Sequence, residues 1–325
     1  MTIDKLPSGS YRIREMRNGQ LYKVTIDHKP SKTEARDLIE AQMTGYHNSD
    51  LFGSAADAYV KSKKNVLSPA TIRGYYSLIN NMDDKFKALP LDKITLPVLQ
   101  KYINEFSADH SPKSVRNLNG FIMSVLSFYG SDIKSPRLPQ KDNKVVYIPS
   151  EEDVKRLLNE FKGHKYEPFI ILGTLGLRRS EICALTPADL NGNVLTINKA
   201  LVQDENKIWV VKKPKTDSST RTIIIPDHVA DMLRTNGFYT DNPENLYFAL
   251  RRAQKRLGIQ PFPFHKLRHF FASYMHNLGY SDKQIQEFGG WKTTETLRNV
   301  YQHAMEMDKV KYSMSQNINN LIDGI

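Results

Sequence analysis

Cysteine is nearly absent from this chain of 325 residues. Its one thiol, Cys183, allows no disulfide within the chain and excludes a zinc site built on cysteines. Cys183 sits in an apolar-periodic stretch, residues 180–185, and reads as a small buried hydrophobe rather than a reactive group. A leader is missing as well, because residues 1–10 carry Asp4 and Lys5 and no apolar run. The longest apolar stretch, residues 169–177, is too short to cross a bilayer. Internal repeats and low-complexity tracts are lacking too. Together these absences predict a soluble, intracellular, globular protein with no membrane partner. Acidic residues are the minority charge: 46 Lys+Arg face 35 Asp+Glu, a net charge of +11. Such a balance favours a polyanionic partner, nucleic acid before others.

Hydrophobic periodicity divides the chain into modules. In residues 1–46, Tyr11 and Ile13 alternate with Arg12 and Arg14, and Tyr22, Val24 and Ile26 alternate with Lys23 and Thr25, around the turn pair Asn18-Gly19. Two strands with one basic face are expected. A helix follows, started by the capping box Ser31-Lys32-Thr33-Glu34 and carrying Ala35, Leu38, Ile39 and Met43 on one side. The basic strand face is either an ordinary solvated surface or a DNA-contacting sheet. Residues 50–133 turn helical, with four apolar stripes and two Ser-Pro starts, Ser68-Pro69 and Ser111-Pro112. Lysines and arginines near the helix ends (Lys61, Lys63, Lys64, Arg73, Lys113, Arg116) belong to a solvated surface or to a DNA clamp. Residues 134–144, rich in proline and polar groups, read as a linker. From residue 145 a third module begins with helices, passes three strands near 194–197, 208–211 and 222–225, and returns to helices from Asp227. The expected fold class is therefore multidomain. It comprises a small β-hairpin with a helix, an all-α domain, and a mixed α+β domain that is mainly helical with a small antiparallel sheet.

Chemistry concentrates in the third module. G-L-R-R-S-E stands at 176–181, P-K-T at 214–216 between two strands, H-K-L-R-H at 265–269, G-G-W at 289–291 and Y-Q-H at 301–303. Two arginines, a histidine and a tyrosine suit attack of a phenol on a phosphodiester whose charged oxygens are held by guanidinium groups. Taken together and in this order, the motifs resemble the tyrosine recombinase (phage integrase) family over most of residues 50–305. The N-terminal module is similar, less specifically, to the arm-site-binding domain that integrases of temperate phages and integrative conjugative elements carry.

The resemblance implies an arm-type DNA-binding domain at 1–46, a core-type one at 50–133, a linker at 134–144 and a catalytic domain with a C-terminal tail at 145–325. It makes Tyr301 the nucleophile and Arg178 and Arg268 the phosphate clamps, with Arg179 facing solvent or DNA backbone. Lys215 is expected as general acid, with Lys212 and Lys213 as alternatives. His265, one helical turn before Arg268, can donate to a phosphate oxygen or move a proton. Trp291 stands where the family often has a second histidine; an indole can position and desolvate but cannot shuttle a proton. Glu181 and His269 are expected behind the reacting groups, with Glu181 orienting an arginine or His269. No metal, cofactor or nucleotide is expected, because arginines supply the positive charge.

The implied activity is site-specific integration and excision of a mobile element by a homo-tetramer on double-stranded DNA, through a 3′-phosphotyrosyl link and a Holliday junction. Core and arm attachment sites are its substrates, in the cytoplasm of a bacterial host. An excisionase and a host DNA-bending protein fit as accessory partners. A type IB topoisomerase-like strand-passage enzyme and a catalytically silent DNA-binding regulator are the alternatives. The tail after Tyr301 is amphipathic and docks either on its own domain or on a neighbouring protomer.

Overall fold

A computed structural model describes residues 1–17, 20–43, 50–140, 147–212 and 220–301, with side chains left undescribed at 20, 37, 40–43 and 299–301. The chain forms two compact units: Met1–Asn143 with Gln203–Ile208, and Lys144–Val202 with Trp209–Ile325. It is mostly helical, with small antiparallel sheets.

The first unit opens with three strands, β1 (Thr2–Lys5), β2 (Tyr11–Arg17) and β3 (Gln20–Ile26), in the order β1-β2-β3 and antiparallel throughout. Two strands were expected; β1 escapes notice because a four-residue edge strand with a charged end carries almost no alternation. The turn at Asn18-Gly19 lies outside the described residues. Register sets the faces. Ile13 pairs with Val24 and packs with Ala35 and Ile39 of helix α1 (Lys32–Met43), while Arg12, Arg14 and Lys23 fall on the other side with exposed Met16 and Leu21. The capping box forms in both directions: Glu34 N–H donates to Ser31 Oγ at 3.0 Å, and Ser31 N–H donates to Glu34 Oε2 at 3.4 Å.

Five helices complete this unit: α2 (Phe52–Ser62), α3 (Pro69–Asn80), the one-turn α4 (Asp84–Lys87), α5 (Leu96–Asp109) and α6 (Pro112–Phe128). Both Ser-Pro starts act as read from sequence, since Ser68 Oγ accepts from Thr71 N–H and Ser111 Oγ from Ser114 N–H, each at 3.3 Å. Helix α4 adds to the four that were expected; Phe86 on it stacks on Tyr102 at 4.1 Å and is buried. The apolar stripes meet in one core that includes Phe52, Ile72, Ile103, Phe121 and Ile122. Part of the expected linker is bound down. Gln100 of α5 accepts from Arg137 N–H at 2.8 Å and donates to its carbonyl at 3.1 Å, and Arg116 of α6 donates to the Pro139 carbonyl at 2.5 Å. Residues 135–139 thus form a strap on the helical bundle.

The second unit begins with α7 (Glu151–Glu160), α8 (Glu167–Thr174) and the single turn α9 (Arg179–Ile182). Five short strands follow: β4 (Leu190–Asn191), β5 (Val194–Ile197), β6 (Ala200–Gln203), β7 (Trp209–Lys212) and β8 (Arg221–Ile224). They make two sheets, β4-β5-β8 and β6-β7. Three strands were expected; β4, of 2 residues, is too short to show a period, and β6 (Ala200–Gln203) has three apolar residues in a row in place of alternation. Strands β7 and β8 flank the P-K-T segment in sequence and, among the described residues, belong to different sheets; the segment itself lies outside the described residues. Helices α10 (Asp227–Asn236), α11 (Pro243–Leu257), α12 (His265–Asn277), α13 (Asp282–Gly289) and α14 (Thr294–Tyr301) close the described part. Its main core joins Leu157, Ile170, Leu195, Val229, Leu250 and Leu267, and a smaller cluster gathers Phe271, Ala272, Ile285, Trp291 and Leu297. Among the described residues, no helix is long and apolar enough to cross a membrane.

Candidate active site

Three corners of the second unit converge. The first is Arg178, in extended backbone just before α9, so its guanidinium leaves the helix start sideways. It donates to Glu181 Oε1 at 2.5 Å and to the Gly290 carbonyl at 2.9 Å, and its own N–H donates to Glu181 Oε2 at 2.9 Å. The second corner is α12. His265 opens it and Arg268 lies one turn on, 1% exposed. Arg268 Nη1 donates to the carbonyls of Gly176, at 2.5 Å, and Gly289.

The third corner is Gly289-Gly290-Trp291. A Cβ on Gly289 would stand 1.8 Å from Trp291 Cζ3, so only glycine lets the indole fold back over the end of α13. Gly290 is left-handed at φ 71°, which turns the chain out of the helix. The indole then lies under Arg268, whose Cζ is 3.6 Å from the ring centroid. What Trp291 covers is an arginine.

The electrostatics follow from this packing. Arg268 has no carboxylate partner among the described contacts, and its Nε and Nη2 are buried without any hydrogen-bond acceptor. Burial first, then the Arg178 charge, pushes its pKa down to about 8, which leaves it cationic at neutral pH. An unneutralised buried guanidinium is costly, and the cost is relieved by an anion. His265 faces the cleft at the rim. Desolvation by the surrounding protein, then the charges of Arg268, Arg178 and Lys266, push it down to about 4, against a smaller opposing effect of Glu181. It is therefore a neutral imidazole at pH 7, able to accept a proton. His269 meets the edge of His265 at 4.7 Å and lies 3.4 Å from Lys266 Nζ; burial, then the Lys266 and His265 charges, push it down to about 3.

Glu181 is 6% exposed and its carboxylate is saturated. Besides Arg178 it accepts from Arg221 Nη1 at 3.3 Å and Nη2 at 3.0 Å. Burial pushes this carboxyl up, but the hydrogen bonds and charge of Arg221, with the charge of Arg178, outweigh that and hold it below the ordinary carboxylate range. Of its two expected partners Glu181 takes the arginine; among the described hydrogen bonds none joins it to His269.

Arg221 was not among the expected site residues. A signal existed: in the alternation Arg221, Ile223, Ile225 the inward phase is apolar, so a cation at its first position calls for a buried partner. Other expectations fall outside what is described. Lys213, Lys215, Gln302 and His303 are beyond the described residues, and Lys212 ends β7. Tyr301 is the last residue of α14, one helical turn after buried Leu297, and its side chain lies outside what is described. Arg179 and Ser180 border a cleft of about 590 Å³ with Tyr247, Phe248 and His265. Among the described residues no group of three or more His, Cys, Asp or Glu is placed to hold a metal ion.

The fold and the neighbouring Arg178 and Arg268 fit the resemblance to the tyrosine recombinases. Comparison with known proteins agrees: residues 150–307 match the model of the phage integrase family and residues 51–107 that of the phage integrase N-terminal SAM-like domain. The chain belongs to the phage integrase family, the tyrosine-type site-specific recombinases. A tyrosine recombinase XerC-like protein of Caldanaerobacter subterraneus subsp. tengcongensis is 24% identical over 265 residues, covering 65% of this chain and 68% of that protein. Among solved structures, the Tn1549 transposon integrase in complex with circular intermediate DNA superposes with a TM-score of 0.66 at 19% identity, over 82% of this chain and 99% of that one. A lambda integrase tetramer bound to a Holliday junction gives 0.56 at 15% identity, over 91% and 94%.

Proposed function

We propose that this recombinase integrates and excises a mobile element, with Tyr301 as nucleophile. The observation that carries the reading is the unpaired guanidinium of Arg268 beside Arg178, an arrangement suited to one phosphodiester. Tyr301 Oη attacks phosphorus, the bond to the 5′-oxygen breaks, and a 3′-phosphotyrosine and a 5′-hydroxyl result. Arg178 and Arg268 bind the nonbridging oxygens, where charge builds up. Neutral His265 takes the phenol proton or hydrogen-bonds a phosphate oxygen. Lys215 protonates the leaving oxygen, with Lys212 and Lys213 as alternatives. The 5′-hydroxyl of a partner strand then attacks the phosphotyrosine and releases Tyr301, so the phosphodiester bond energy is kept. Two such exchanges pass through a Holliday junction, as the lambda integrase assembly suggests.

The face of β2 and β3 that carries Arg12, Arg14 and Lys23, with Arg14 paired to Asp4 and Lys23 to Asp132, supports an arm-type DNA-binding role for residues 1–46. Residues 50–133 are the core-type module, and residues 145–325 the catalytic domain with its tail. A homo-tetramer, an excisionase and a host DNA-bending protein complete the proposal, with action in the bacterial cytoplasm.

The test is a nicked duplex spanning the joined ends of the element, mapped by sequencing, and run on a denaturing gel. The wild-type chain is expected to form a covalent adduct that Tyr301→Phe abolishes while still binding DNA. Absence of a Tyr301-dependent adduct rejects the enzyme. Exchange between two marked duplexes separates recombination from topoisomerase-like rejoining of one strand.

A further inference from the structure

Arg221 stands outside every role assigned so far. It is the first residue of β8, its side chain is 6% exposed, and all its described contacts lead to the reacting groups. Two of its nitrogens grip the Glu181 carboxylate that holds Arg178. The third, Nε, donates to the Phe288 carbonyl at 2.9 Å, at the end of α13. A Cβ on Gly290 would come within 2.7 Å of Arg221 Nη1, so the Gly289-Gly290-Trp291 corner rests on this guanidinium. That corner supplies carbonyls to both clamps, Gly290 to Arg178 and Gly289 to Arg268.

We propose that Arg221 is a positioning residue for strand cleavage: through Glu181 and the α13 corner it aligns Arg178, and it never touches DNA itself. The proposal rests on the reading of Arg178 as a phosphate clamp. A planar fork fits the task, because it engages both carboxylate oxygens and still has Nε for the carbonyl, which an ammonium cannot match. The groups facing Glu181 are Arg178 from the start of α9 and Arg221 from β8, with Arg268 and His265 of α12 beyond them. Removing Arg221 takes away the strongest partner that keeps Glu181 ionised.

The test uses the full chain, with the nicked duplex spanning the joined ends of the element as probe. Arg221→Gln is expected to slow adduct formation about 10- to 100-fold, the usual scale for a group behind a site, while duplex affinity stays within about threefold. Arg221→Lys should recover part of the rate. The double variant Arg221→Gln/Glu181→Gln should be no slower than Glu181→Gln alone, because both act through one link. In Arg221→Gln the acid side of the pH–rate profile should move to higher pH, since Glu181 then protonates more readily, a change that loss of packing alone would not produce.

A native cleavage rate in Arg221→Gln, additive losses in the double variant, or an unmoved acid limb overturns the proposal. If Arg221→Gln does not fold, Arg221→Lys carries the rate test, and a fully native cleavage rate there overturns the proposal equally. A wild-type chain that forms no Tyr301-dependent adduct rejects the site itself; a wild-type adduct that forms equally fast in Arg221→Gln rejects only the role of Arg221.

Discussion

The helical core of the first unit and the interior of the second are built on opposite terms. Around Phe52, Ile103, Phe121 and Ile122 the buried side chains are almost wholly apolar, and Ser68 and Asn119 are the buried polar ones described there. The second unit buries Glu181, Asp189, Arg221 and Arg268. Apolar burial stabilises at roughly 25 cal/mol per Å², whereas a buried charge costs several kcal/mol unless it is paired. Glu181 and Arg221 are paired. Arg268 has no carboxylate partner among the described residues, and on the proposed reading it is there to bind a phosphate. The difference separates an interior shaped for stability from one shaped for a reaction.

That contrast can be broken outright at its most charged point. Arg268→Met should reduce adduct formation on the nicked duplex by about 10²- to 10³-fold, the scale of losing a preorganised charge-stabilising donor. The same variant should leave the melting temperature equal to or above that of the wild type, since it removes an unpaired buried charge. A large drop in melting temperature would show the guanidinium to be structural. The mirror experiment is Leu118→Ala in the helical core. It should destabilise the first unit by about 2–5 kcal/mol in denaturant, while adduct formation per folded molecule stays near native.

A smaller effect separates a cap from a core: Ser68→Ala should cost about 1 kcal/mol, measured the same way. The last effect concerns pH, and its sign differs between the units. His28 is held between Asp27 at 2.9 Å and Glu34 at 2.8 Å, and the Asp27 hydrogen bond, then that of Glu34, raise its pKa above the ordinary 6.5. The folded first unit therefore binds the proton more tightly. Its gain is complete below pH 6.5 and is lost as pH rises through the raised folded value, about a few tenths of a kcal/mol for so exposed a group. His265 and His269 are pushed down to about 4 and about 3, so the unfolded chain binds more protons and the second unit weakens as pH falls below 6.5. Melting followed by tryptophan emission reports the second unit, where Trp209 and Trp291 both lie. Equal pH slopes for that signal in wild type and in a His265→Gln/His269→Gln variant would refute this account.

The two units were also unequally legible in the sequence. Long amphipathic stripes and Ser-Pro starts place α2, α3, α5 and α6 closely, because helix faces and caps are local signals. Strands β1, β4 and β6 carry too little alternation to be seen. The sheet partners of β7 and β8 depend on long-range pairing that no local pattern encodes. In the site, Arg178, His265, Arg268 and Trp291 could be picked because motif spacing and resemblance mark them. Arg221 could not be picked that way, since its meaning comes from Glu181, forty residues away in sequence.

The bare guanidinium of Arg268 has a consequence for descent. On the proposed reading its charge is a cost to the folded chain that only the cutting and rejoining of DNA offsets. Natural selection can hold such a residue only through recombination itself, never through folding. In a copy stranded in a genome after its element has lost an end, this arginine is therefore expected to be among the first to drift, while the apolar helical core persists as long as the chain is still made.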